Sequence, residues 1–111
     1  MSRLLSVAHT IEQVENRTKT VTRRKTLHTY LEPGDIVTLV DRSPRTKQDW
    51  KRLVDVEIVS KRRERLDAIT DDDVAREGFA PMTAAQFVAW YCQAFKCEPD
   101  TMVTRIEWRY P

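Results

Sequence analysis

The chain has 111 residues, a formal net charge of +2, 41% hydrophobic and 32% charged side chains. That length supports one domain over residues 1–111 with a real core, and the composition excludes a disordered polymer. No apolar run nears the ~20 residues of a membrane span, and Met1 to His9 lacks the apolar stretch of a secretory signal, so a cytoplasmic protein is expected.

Leu4 to Val7 is a short apolar run that suits a first strand. Thr10 and Gln13 make a Thr-x-x-Gln capping-box pattern, which predicts a short helix that buries Ile11 and Val14. Residues 19–24, Lys-Thr-Val-Thr-Arg-Arg, alternate β-branched and charged side chains and predict a second strand with one polar face. On such a strand Thr20, Thr22 and Arg24 share one side, and Val21 and Arg23 take the other. Glu32-Pro33-Gly34-Asp35 is a turn, because proline presets one backbone angle and glycine permits a positive one. Ile36 to Val40 is nearly continuous in apolar content and predicts a central strand. Residues 42–52 are polar and basic, with Pro44, and predict a loop. From Leu53 to Ser60, Val54, Val56 and Ile58 alternate with Asp55 and Glu57, the pattern of a half-buried antiparallel strand.

Two helices are expected next. Thr70-x-x-Asp73 caps the first, and Gly78 stands where a left-handed C-terminal cap belongs. Thr83-x-x-Gln86 caps the second, whose apolar stripe is Ala84, Phe87, Val88, Tyr91 and Phe95. Trp90 lies off that stripe and is expected to be partly exposed. Met102 to Tyr110 returns to a period of two and predicts a last strand, with Trp108 in the core. The order β-α-β-β-β-α-α-β predicts an α+β fold: a small, mostly antiparallel, partly closed β-barrel of five strands, with three short helices at its rim.

Charge is unevenly spread. Residues 17–25 carry five basic and no acidic side chains, residues 42–65 nine basic and four acidic, and residues 66–111 four basic and eight acidic. If the fold gathers the two basic segments on one face, that face attracts a polyanion; if not, they merely solvate strands and loops. Under the first reading the nucleic-acid contacts are Arg17, Arg23, Arg24, Lys25, Arg45, Lys47, Lys51 and Arg52. Trp50, flanked by Asp49 and Lys51, is the candidate for stacking on a base. His9, His28, Cys92 and Cys97 lack the spacing of a zinc finger or ribbon, so no metal and no cofactor is expected. The two isolated glycines exclude a glycine-rich phosphate loop.

Lys19 and Thr22, close together where a strand enters a barrel mouth, suit a carbonyl or phosphate ligand. They also suit a weak nucleophile–base pair, provided burial strips the lysine of its proton. The same run also reads as an exposed edge strand whose threonines serve β-propensity, and pattern alone favours that reading.

Lys19-Thr20-Val21-Thr22-Arg23-Arg24, then Leu31-Glu32-Pro33-Gly34-Asp35, then Ile69-Thr70-x-x-Asp73-Val74-Ala75-x-Glu77-Gly78-Phe79, closely resembles the ASCH domains of bacteria and their phages. These are small relatives of the PUA RNA-binding fold, and the resemblance runs from Leu4 to Trp108. It implies a β-barrel with helices at its rim, a polar cleft beside the first helix, and RNA or a modified nucleotide as partner. One enzyme branch of this superfamily hydrolyses the amide of N4-acetylcytidine, and the matching positions here are Lys19, Thr22 and Glu77. The resemblance implies that Thr22 attacks the acetyl carbonyl, Lys19 assists its deprotonation and Glu77 shuttles protons. Glu77 also reads simply as the residue before the cap of a solvated helix. The first expectation is therefore recognition of RNA or a modified nucleotide in a cleft lined by Lys19, Thr22, Arg24 and Glu77. An amidohydrolase acting on an N-acylated cytidine, and a phage-type protein that binds a host protein, are the alternatives.

Overall fold

The computed structural model describes residues 3–43 and 49–111. Strand β1 (Arg3–Ser6) leads through the single turn of helix α1 (Ile11–Glu15) into β2 (Val21–Arg24). Strands β3 (Ile36–Val40) and β4 (Arg52–Arg65) follow, then a 3₁₀ turn over Leu66–Ala68. Helices α2 (Asp71–Arg76) and α3 (Ala84–Phe95) precede the last strand, β5 (Met102–Arg109).

The strands form one sheet in the order β1-β3-β4-β5-β2. The β1–β3 pair is parallel and the other three pairs are antiparallel. β1 and β2 are thus the sheet's two edges. The sheet curls until they face each other, and the Arg24 guanidinium on β2 donates to the Ser6 carbonyl on β1. This side-chain bridge across the seam leaves a barrel that is open there, as the predicted fold class requires.

Period-two alternation fills the barrel. Leu5, Val37, Leu39, Val56, Ile58, Ile106 and Trp108 form its apolar interior. Each such side chain is worth roughly 1.5–3 kcal/mol when fully buried. A second cluster of Leu66, Ile69, Val74, Phe87, Tyr91 and Val103 packs α2 and α3 onto the sheet. The α3 stripe contributes Phe87 and Tyr91 to it, at helical spacing.

The helix caps follow the sequence in two of three cases. Thr70 Oγ1 accepts from the Asp73 amide at 3.2 Å. At α3 both halves of the capping box are present: Gln86 N to Thr83 Oγ1 at 3.2 Å, and Thr83 N to Gln86 Oε1 at 2.9 Å. The box expected at Thr10 and Gln13 is not formed, because the Thr10 hydroxyl turns back to the Val7 carbonyl at 3.5 Å. β4 is also longer than the Leu53–Ser60 alternation predicts. It continues to Arg65 because β5 supplies partners along its whole length, down to the Arg65–Met102 pair. The charged run from Lys61 to Arg65 is therefore strand, with a bulge between Ile58 and Ser60 shifting its register.

Candidate functional site

The open seam between β1 and β2 leads into a cavity of about 630 Å³. Its walls are the edge residues Leu4 to Ser6 and Thr22 to Arg24, the α2 end at Glu77, and the inward face of α3. Its lining combines polar side chains with a set of aromatic rings.

Lys19, two residues before β2, is 3% exposed. Its Nζ donates to the Glu77 carbonyl at 2.7 Å and to Glu77 Oε1 at 3.1 Å. Three local features place it there. The Lys19 amide donates to the Gln13 carbonyl at 3.1 Å, which ties it to α1. The Thr20 amide donates to the Arg76 carbonyl at 2.8 Å, which ties it to α2. Gly78, at φ +92°, lets the chain turn after Glu77 at a point where a Cβ would stand 2.9 Å from Gln13 Cβ.

Glu77 Oε2 accepts from Arg23 Nη1 at 3.1 Å, so one carboxylate serves two cations. Arg23 continues to Glu64 at 3.1 Å and to Asp73. Asp73 in turn accepts from Arg105 Nε at 2.8 Å and Nη2 at 2.9 Å, a bidentate pair. The Thr22 hydroxyl lines the same cavity and accepts from Arg24 Nε at 3.2 Å.

Electrostatics follow from burial. Loss of water pushes the Lys19 ammonium below the usual lysine range; Glu77 opposes this and Arg24 and Arg23 add to it. Burial works to raise the Asp73 carboxyl, but its hydrogen bonds from Arg105 and Arg23 win and hold it well below the usual range. Burial also lowers His28 to about 4, with help from Arg24 and Lys61. The Tyr91 hydroxyl donates to the Arg23 carbonyl at 3.2 Å, and burial pushes that phenol up to about 12.

The aromatic part of the lining is continuous. Phe79 packs on Trp90 at 4.6 Å and on Phe87 at 5.2 Å between ring centroids, and Tyr91 packs on Phe95 at 4.5 Å. Lys19 Nζ stands 5.9 Å from the Phe79 ring. On the rim, His28 and Tyr30 pair at 5.5 Å, with Nδ1 and the hydroxyl 3.0 Å apart.

Of the residues picked from sequence, Lys19, Thr22, Arg23, Arg24, Lys25 and Glu77 all line this cavity. Lys19 and Glu77 touch directly, while Thr22 bonds to Arg24 rather than to either of them. Arg23 is 4% exposed and bound to carboxylates, so its charge is held internally. Arg17 lies elsewhere: at φ 65° it is exposed, and it donates to the Pro111 carbonyl at 3.2 Å. Trp50 lies under the Arg52 guanidinium at 5.7 Å, and neither it, Lys51 nor Arg52 borders the cavity. Arg45 and Lys47 lie outside the described residues. Sequence reasoning missed Phe79, Trp90 and His28 as wall residues. Trp90's place off the apolar stripe was the one available signal, since a large ring at the edge of the core leaves one face for another surface. Among the described residues no three His, Cys, Asp or Glu side chains gather as metal ligands.

No protein-family model matches the sequence, and no curated protein matches it. Solved structures do match. The ASCH domain from Lactobacillus crispatus is similar with a TM-score of 0.64 at 12% identity, over 97% of this chain and 79% of that one. ASCH from Zymomonas mobilis gives 0.64 at 13%, over 96% and 65% of the two chains. The hypothetical protein PH0355 gives 0.69 at 16%, over 100% of both. The open five-stranded barrel, its three helices and these neighbours together establish that the chain has an ASCH-type fold.

Proposed function

We propose that the cavity recognises a nucleobase, presented by RNA or by a modified nucleotide. One observation carries this reading: a buried Lys19–Glu77 pair and the Thr22 hydroxyl share a cavity with a set of aromatic rings. A base needs flat apolar faces above its ring and a few fixed donors and acceptors at its edge. Phe79, Trp90 and Phe95 supply the faces. The Lys19 ammonium donates to a base carbonyl or ring nitrogen, and the Glu77 carboxylate accepts from an exocyclic amine. The volume of about 630 Å³ lies within the roughly 300–1,000 Å³ of small-molecule sites. The likeness to solved ASCH domains supports the same reading.

A second reading, hydrolysis of an N-acylated cytidine, is favoured by the depressed Lys19 ammonium. A lysine that gives up its proton more readily is a better base for the Thr22 hydroxyl. In that chemistry Thr22 Oγ1 bonds to the acyl carbon and its proton passes to the Lys19 amine. The C–N bond then breaks, with the proton going to the leaving nitrogen, and water releases the acid from the acyl-threonine.

The test is wild-type protein with cytidine and with N4-acetylcytidine, followed by calorimetry for binding and chromatography for products. Binding without turnover, weakened by Lys19→Ala, is the expected result. Turnover that survives in Thr22→Ser and is lost in Thr22→Ala replaces the binding reading with the catalytic one. Absence of binding and of turnover, for these nucleosides and for single-stranded RNA alike, overturns both.

A further inference from the structure

Among the described residues, four cations line the cavity, Lys19, Arg23, Arg24 and Lys25, against one carboxylate, Glu77. Lys19 and Arg23 share that carboxylate, and Arg23 has Asp73 and Glu64 besides. Arg24 and Lys25 are left with neutral acceptors. Arg24 donates to the Thr22 hydroxyl and the Ser6 carbonyl; Lys25 Nζ donates to the Phe95 carbonyl at 2.8 Å. Neither makes an ion pair among the described residues, and Arg24 Nη1 has no hydrogen-bond partner there. Arg24 is also partly buried. Glu77 attracts Arg24 only from a distance, while Lys19 and Arg23 hold that carboxylate directly, so a guanidinium drawn out of water without an ion pair costs free energy that a bound anion restores.

Position adds to charge. Arg24 ends β2 and Lys25 follows it, so both stand where the seam opens, whereas Lys19 and Glu77 lie deeper and buried. A ligand with its base at the Lys19–Glu77 end therefore carries its sugar substituent towards Arg24. We propose that Arg24 and Lys25 form a phosphate subsite, so that the ligand is a phosphorylated nucleoside unit rather than a free nucleoside. This rests on the base-binding reading of the cavity. A free nucleoside monophosphate and an RNA phosphodiester offer the same chemistry to this subsite. Arginine suits either, because its planar donors grip two phosphate oxygens at once.

The experiment is calorimetric titration of the full chain with cytidine, cytidine 5′-monophosphate, inorganic phosphate and a short single-stranded oligocytidine. Wild-type protein is expected to bind the monophosphate or the oligomer at least about tenfold more tightly than cytidine, the scale of one charge-assisted contact. Arg24→Met is expected to bring that ratio close to one, Arg24→Lys to keep part of it, and Lys25→Met to lower it by a smaller factor. Circular dichroism checks that each variant is folded. If the oligomer alone shows the Arg24-dependent gain, the phosphate comes from RNA; if the monophosphate shows it fully, a free nucleotide suffices. Equal affinity for cytidine and both phosphorylated probes, or a ratio unchanged in Arg24→Met, overturns the subsite while the base reading stands. If no nucleoside, nucleotide or oligomer binds, the base reading falls and inorganic phosphate decides the subsite alone. Arg24-dependent phosphate binding then supports it, and its absence overturns it.

Discussion

Lys19 carries an unusual cost, because its charge sits in a buried place. Its folded value lies below the roughly 10.4 of an unfolded lysine, so between those two values the unfolded chain holds more protons. Its contribution to stability therefore rises as pH climbs through that window. Lys19→Met is expected to flatten the alkaline arm of wild-type stability, measured by urea unfolding from neutral pH upward. Asp73 has the same sign of dependence in an acid window. Its folded value is depressed, so its contribution is present above the unfolded ~3.9 and lost as pH falls below it. Asp73→Asn leaves the buried Arg23 and Arg105 guanidinium groups short of a carboxylate. A loss of about 3–5 kcal/mol is expected, together with a weaker acid dependence, both read from urea unfolding. The Lys-Thr-x-Thr-x-Arg run was legible in the sequence as a polar strand with a possible site. The ionic chain behind it was not, because Glu64 and Asp73 reach Arg23, and Arg105 reaches Asp73, from three separate elements, and no local spacing marks such a meeting.

At the scale of elements, the turn after α2 sets the position of the lysine. Gly78 has a positive φ of 92°, and a Cβ there meets Gln13 Cβ at 2.9 Å and Lys19 Cβ at 3.4 Å. Gly78→Ala combines backbone strain with a clash into α1. It is expected to cost more than about 1 kcal/mol in thermal unfolding, and to weaken cytidine binding by displacing the Lys19 stem. The glycine's role as a helix terminator was readable from its place after Glu77. Its closeness to Gln13 was not, since the contact joins α1 to the turn after α2 across 64 intervening positions of chain. Likewise β2, β3, α3 and β5 followed from periodicity, while the second half of β4 did not. Lys61 to Arg65 has the composition of a solvated loop and is strand because β5 pairs with it.

Across the whole molecule, the basic segments do not act as one undivided patch. Arg62 pairs with Glu64 at 2.7 Å, and Arg65 with Asp67 at 2.7 Å. These pairs reduce the charge that the β4 segment offers to a polyanion. Arg24 and Lys25 make no such pair among the described residues. For single-stranded RNA each neutralised phosphate contributes about −0.7 to the slope of log affinity against log salt. Two contacts predict a slope of about −1.4, measured by fluorescence anisotropy from low to moderate salt. A slope several times steeper brings in the cations of residues 42–52, and alanine at Lys51 and Arg52 then flattens it.

The seam between β1 and β2 has a consequence for how this protein keeps its own copies apart. Each of these strands is laddered on one flank only, to β3 and to β5, and the other flank borders the cavity. Open strand flanks are templates for stray pairing between chains. A ligand bound as proposed would lie along both flanks, so occupancy would shield the backbone most prone to self-association. Bound ligand is therefore expected to slow amide hydrogen exchange at Leu4 to Ser6 and Thr22 to Arg24 more than elsewhere, and to delay aggregation on heating. Ligand-free protein is expected to be the first to aggregate on heating.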